Sequence, residues 1–87
     1  MTIAQLEVMK DLAAGGRIES RFAGPVVIPA GPKSPRWVAS RQTFEALVRK
    51  RWIERLTPNA DEANPAFGIT EIGRAAFQKE RYRARTA

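Results

Sequence analysis

Arg41, Gln42, Glu45 and Arg49 fall at spacings that gather them on one side of an α-helix, because residues three and four apart are neighbours on its surface. Their side chains match the hydrogen-bonding edges of bases: a guanidinium pairs with guanine, a carboxamide with adenine, and a carboxylate accepts from cytosine. The same spacing also suits a solvated helix on which Arg41, Glu45 and Arg49 form a ladder of intrahelical ion pairs. Both readings stay open at this point. Arg51 and Arg55 follow the helix and suit phosphates better than bases, while Lys33 and Arg36 lie ahead of it in a proline-rich stretch. Arg36, next to Trp37, can clamp a phosphate or stack on the indole. Trp37 and Trp52 offer stacking surfaces for unpaired bases, although packing in or near the core is the expectation for both. The candidate nucleic-acid-binding set is therefore Lys33, Arg36, Arg41, Gln42, Arg49, Lys50, Arg51 and Arg55.

The charge distribution points the same way. The net charge is +6, yet residues 1–32 are balanced. Residues 33–56 carry Lys33, Arg36, Arg41, Arg49, Lys50, Arg51 and Arg55 against only Glu45 and Glu54. Asp61 and Glu62 make the next stretch acidic, and Arg74, Lys79, Arg81, Arg83 and Arg85 restore positive charge beyond it. Cations concentrated in two segments form an electrostatic footprint for a polyanion; the bland alternative is a basic surface that aids solubility. Arginine outnumbers lysine eleven to four, which suits bidentate contacts to guanine or phosphate, though GC-rich codon usage produces the same excess.

Catalysis is hard to build from this inventory. Histidine and cysteine are both absent, which removes the ordinary general base near neutrality and the imidazole and thiolate ligands. The acidic pairs Glu7/Asp11 and Asp61/Glu62 read as a solvated helix face and a loop tip. Gly15-Gly16 lacks the lysine and spacing of a phosphate-cradling loop. No enzymatic activity, cofactor or metal is expected.

The elements that must position these residues are readable in order. Eighty-seven residues make one domain, whose core hides only roughly 60–65% of the unfolded surface. Thr2 caps a helix over about 3–14 with Ile3, Leu6, Met9 and Ala13 on one face, and Gly15-Gly16 ends it. Residues 18–22 and 26–28, separated by Ala23-Gly24-Pro25, read as a hairpin. Residues 29–35 hold three of the six prolines and form a loop. Ser40 caps a helix over 41–51 that buries Phe44, Leu47 and Val48, with Trp37 and Val38 packing just ahead of it. Residues 52–56 and 66–69 form a second hairpin across a polar loop. Thr70 starts a last helix, reaching about Arg83, with Ile72, Ala76 and Phe77 inward. The opening residues have no signal-peptide pattern and no apolar run approaches the ~20 residues that span a bilayer. The expectation is a cytoplasmic protein without a membrane partner.

The stretch from Thr43 to Gly73 resembles the winged-helix domains of bacterial transcription regulators. Thr43-Phe44, Leu47, Lys50-Arg51, Trp52-Ile53, Ile69-Thr70 and Gly73 occupy the places of a recognition helix, a strand start and a strand return. The likeness covers about 35 residues plus the first helix ending in Gly-Gly-Arg-Ile. It implies an α+β, winged-helix-like fold: three helices, an early hairpin at about 18–28 and a C-terminal wing hairpin at about 52–69. It also implies major-groove contact by helix 41–51. The chain departs from the pattern in three places. Arg51 stands where a glycine normally stops the helix. Residues 20–39 hold a hairpin and proline loop where a helix-turn-helix keeps its second helix. Asp61 and Glu62 replace the basic wing tip, which argues against a wing-to-phosphate contact. In layout the chain is also similar to small YjhX-type bacterial proteins described as gyrase-directed toxins.

Double-stranded DNA is thus the expected partner of a small bacterial or phage regulator. The rival is a protein-interaction module that modulates a nucleic-acid enzyme such as RNA polymerase or gyrase. The basic C-terminal segment, about 79–87, reads either as a cationic tail or as a homodimer contact through the last helix, using Phe77 and Tyr82.

Overall fold

The computed structural model describes residues 1–31, 33–56 and 63–86, with side chains given as far as Arg81. Its elements run in the order α1 (Ile3–Ala13), β1 (Arg17–Arg21), β2 (Gly24–Ile28), β3 (Trp37–Val38), α2 (Arg41–Arg49), β4 (Ile53–Arg55), β5 (Ala66–Ile69) and α3 (Glu71–Thr86). The five strands form one antiparallel sheet in the order β3-β2-β1-β5-β4. This is an α+β fold.

Local chemistry explains where the helices start. Thr2 Oγ1 accepts from the Gln5 amide at 3.1 Å while Gln5 Oε1 accepts from the Thr2 amide at 3.0 Å, closing a capping box on α1. Ser40 Oγ accepts from the Thr43 amide at 3.1 Å and starts α2. Thr70 Oγ1 accepts from the Gly73 amide at 2.9 Å and donates to the Arg51 carbonyl at 2.7 Å, which ties the start of α3 to the end of α2. Arg51 itself has φ 60°, the left-handed conformation that usually follows a helix end. The departure from glycine noted in the sequence is therefore met by a strained arginine.

The register assigns each strand residue to a face, since directly paired residues point the same way. Trp37, Val27, Ile18, Phe67 and Arg55 form one row across all five strands. The helices cover this side. Val8, Met9 and Leu12 of α1 and Phe44 and Leu47 of α2 pack with Ile18, Val27 and Ile53, and Phe77 of α3 joins the same core. Phe44 meets Phe67 edge to face with centroids 5.0 Å apart. Trp37 Nε1 donates to Asp11 Oδ2 at 2.8 Å, fastening β3 to α1. Met1 and Glu80 pair at 2.9 Å, joining α1 to α3. The opposite row, Val38, Val26, Glu19 and Ala66, has no helix over it among the described residues.

Several expectations need correction. Both expected hairpins form, β1–β2 and β4–β5, but they are joined in one sheet, because β1 pairs with β5 through Ile18↔Phe67 and Glu19↔Ala66. Helix 41–51 is shorter, Arg41–Arg49, and strand 52–56 is Ile53–Arg55. Val48 and Val38 face solvent rather than the core. Val48 lies a 100° step round the helix from Leu47, which takes the buried position. Ile72 is also outside, 60% exposed. The cause is Gly73: a Cβ there would stand 2.1 Å from the Trp52 carbonyl oxygen. This close approach turns the Gly73, Ala76, Phe77 and Glu80 side of α3 toward the body and leaves Ile72 on the flank. Phe77 is inward, as the last helix's pattern predicts, at 7% exposure, which removes it from the alternative role of a contact for a second copy. The Tyr82 side chain and the acidic tip at Asp61 and Glu62 lie outside the described residues.

Candidate nucleic-acid interface

The sheet has two ends, and they sort the candidate residues. At one end lie the β1–β2 turn, the start of β5 and the start of α2. The Ala39 amide donates to the Pro25 carbonyl at 2.9 Å and the Ser20 amide to the Pro65 carbonyl at 2.9 Å, so all three converge there. At the other end lie Gly15-Gly16, the β2–β3 loop, the end of α2 and the start of α3.

Arg41 and Gln42 open α2 at the first end and are exposed. Arg49 and Lys50 close it at the second. Phe44 and Leu47 are buried beneath, so Arg41, Gln42, Glu45 and Arg49 share the solvent face, as the spacing predicts. No ion pair of the described residues links Arg41, Glu45 and Arg49, so the charge ladder that would explain them without a partner is not formed. The remaining candidates separate. Lys50 Nζ lies 4.9 Å from the centroid of the Trp52 ring, a cation–π contact that engages its charge within the chain. Arg51 is exposed beside it at the helix stop. Arg55 is exposed on the edge strand β4. Lys33 and Arg36 sit in the β2–β3 loop, away from the start of α2, and Arg36 alternates with Trp37 so as to fall on the uncovered side of the sheet. The eight residues therefore do not form one patch: Arg41, Gln42 and Arg49 share the α2 surface, and Arg36 belongs to a different one. Trp37 and Trp52 are half-buried against the core, as expected.

A second charged group on the uncovered side was not foreseen. Glu19 Oε2 accepts from Arg21 Nε at 3.1 Å and Nη2 at 2.8 Å, and Arg17 Nη2 lies 3.5 Å from the other carboxylate oxygen. The Arg21 hydrogen bonds hold the Glu19 carboxyl below the usual carboxylate range against the opposing effect of burial, and the charges of Arg21, Arg17 and Arg36 add to them. Sequence alternation could have found this cluster, since Arg17, Glu19 and Arg21 are two apart on one strand.

Phe22 was also missed. It stands in the β1–β2 turn with its side chain fully in solvent, 101% exposed. The sequence reading places it at the end of the strand over 18–22, whereas β1 stops at Arg21. The Ala-Gly-Pro break directly after it was the signal that it sits in a turn. Among the described residues no cluster of carboxylates is arranged to hold a metal ion, and no helix is long and apolar enough to cross a membrane. No family model, curated protein or solved structure matches this chain.

Proposed function

We propose that this protein is a small winged-helix-like transcriptional regulator that binds duplex DNA, with α2 directed at the major groove. One observation carries the reading: Arg41, Gln42, Glu45 and Arg49 stand together on the solvent side of a helix propped by Phe44 and Leu47, without ion pairs among themselves. Arg41 and Gln42 at the start of the helix read base edges, while Arg49 and Arg51 at its far end hold phosphates. Arg55 and Lys33 add to the surrounding field, which steers a polyanion toward the basic side.

A titration of a mixed-sequence duplex at several salt concentrations tests this. The binding constant should fall steeply with salt, each neutralised phosphate adding about 0.9 to the slope. Arg41→Ala with Arg49→Ala should weaken binding at least about tenfold, since a bidentate base contact alone is worth about 1–3 kcal/mol. Binding no stronger than that of an unstructured peptide of equal charge, or indifferent to the double substitution, defeats the reading.

The rival, a module that docks on a nucleic-acid enzyme such as RNA polymerase or gyrase, is favoured by a groove of about 570 Å³ between α1 and α3. Ile3, Leu6, Ala13 and Phe77 line it, and Ile3 is 79% exposed at its mouth. Retention of one stoichiometric protein after nuclease treatment, together with loss of that partner in Ile3→Glu, distinguishes it.

A further inference from the structure

We propose that the β1–β2 hairpin is a second DNA-contacting element, and that Phe22 at its tip wedges between base pairs beside the groove occupied by α2. The proposal rests on the DNA-binding reading and extends it to deformation of the duplex.

The hairpin is built to hold its tip still. Five consecutive pairs, from Arg17↔Ile28 to Arg21↔Gly24, leave only Phe22 and Ala23 in the turn. Gly24, at φ 136°, supplies the backbone conformation that the tight return needs. β1 is also flanked by β5 on its other side, so the tip projects from the middle of a sheet and not from a free ribbon. On this rigid stalk sits a phenylalanine that makes no use of its ring within the chain, being 101% exposed. Burial of such a side chain is worth about 1.5–3 kcal/mol, which a partner that covers the ring at this fixed point would gain.

Register places that partner next to α2. Val26 pairs with Val38, and the Ala39 amide bonds to Pro25, so the start of β2 lies beside the residues that run into Ser40 and Arg41. β1 and β3 are separated by β2 alone, so the strand that leads to the tip and the strand that leads to α2 run about 10 Å apart, two inter-strand spacings of roughly 4.8 Å. That separation lets a helix lie in one groove while the tip reaches the adjacent one, the division of labour by which proteins read the major groove and enter the minor groove with a nearby element. Apolar side chains inserted at a base step unstack it and kink the duplex. Arg21 precedes the aromatic residue, and its pairing with Glu19 fixes its guanidinium at the root of the tip. The geometry thus gives the wing's place to the first hairpin, whose tip is aromatic, in preference to the β4–β5 connection, which carries Asp61 and Glu62.

The test uses the full chain and a 24-base-pair mixed-sequence duplex with a fluorescent donor and acceptor at its two ends. Wild type should bind and shorten the end-to-end distance; Phe22→Ala should bind about tenfold more weakly, in line with the loss of one aromatic–base stack, and leave the duplex straight. Phe22→Trp should restore both the affinity and the bend. Circular dichroism and thermal unfolding of Phe22→Ala should match wild type, because the ring supports nothing in the fold. Equal affinity and equal bending for wild type and Phe22→Ala overturn the wedge while leaving the α2 reading intact if Arg41→Ala still weakens binding. Loss of a nuclease-resistant protein partner in Phe22→Ala, with duplex binding unchanged, assigns the ring to a protein and also overturns it. Failure of wild type to bind any duplex removes both proposals together.

Discussion

The two hairpins of this chain share one sheet and are built in opposite ways. The first joins five-residue strands through a two-residue turn, and its register is fixed by five pairs. The second pairs a three-residue strand with a four-residue one and spans its connection with residues 56–65. The first is held by its own ladder and by β5. The second has a shorter ladder, which the Thr70 amide extends by donating to the Trp52 carbonyl at 2.9 Å, and it is braced from outside where that carbonyl lies hard against Gly73 of α3. The lesson is that position along the chain does not decide which hairpin is the stiffer presenter of side chains. The hairpin that comes first in the chain has the longer ladder and the shorter connection.

The contrast can be broken at the outside support of the second hairpin. Gly73→Ala would place a methyl carbon 2.1 Å from a backbone carbonyl oxygen that has no flexible side chain to move aside. A loss of about 3 kcal/mol or more is expected, at the upper end of overpacking costs. That is a large share of the stability of an 87-residue domain, and chemical denaturation followed by circular dichroism should show it. Unchanged stability would mean that β4, β5 and α3 can separate freely.

A finer comparison removes one methylene from each hairpin. Ile18 is fully buried and pairs with both Val27 and Phe67, whereas Ile53 sits on the edge strand at 2% exposure. Ile18→Val should cost about 1 kcal/mol, and Ile53→Val less, because an edge strand relaxes more easily around a vacancy. The reverse order would place the mechanical centre of the sheet at β4.

Arg51→Gly should act in the opposite direction. A left-handed L-residue costs roughly 1–2 kcal/mol, of which glycine returns about 0.5–1 through its unfolded-state freedom. A net gain of about 0.5 kcal/mol is expected in the same assay, with the β4 side the beneficiary. A loss would show that the Arg51 side chain has a structural contact worth more than its backbone strain.

The smallest effect belongs to the first hairpin. Because the folded Glu19 carboxyl lies below its ordinary value of 4.5, its ion pairs stabilise the protein fully above that pH and fade as pH falls through the folded value. Glu19→Gln should therefore be slightly less stable than wild type at neutral pH, and the two should converge as pH falls through the lowered folded value. Thermal unfolding across that range checks the sign.

Much of this architecture was legible because its signals are local. Thr2, Ser40 and Thr70 each announce a helix start through a side-chain oxygen three residues ahead of an amide. Gly24-Pro25 marks the return of the first hairpin, and Phe44 and Leu47 mark the buried side of α2. What was missed depends on residues distant in sequence. The pairing of Ile18 with Phe67 has no trace in either segment alone, so both hairpins were legible but their union in one sheet was not. The rotation of α3 is set by the contact between Gly73 and Trp52, which no periodicity of Ile72, Ala76 and Phe77 could reveal. For the interface, the helical spacing foretold the exposed face of α2. It gave no means of separating Arg36 from that face, because the loop between them decides on which side of the sheet it falls.

The outermost strands of the sheet contain two and three residues, β3 beginning two residues after Pro35 and β4 itself carrying the charged side chains of Glu54 and Arg55. Such stubs give an incoming chain little length to hydrogen-bond along. Concentrated samples of this basic protein should accordingly resist end-on growth into cross-β fibrils, even though β2 carries two valines and an isoleucine.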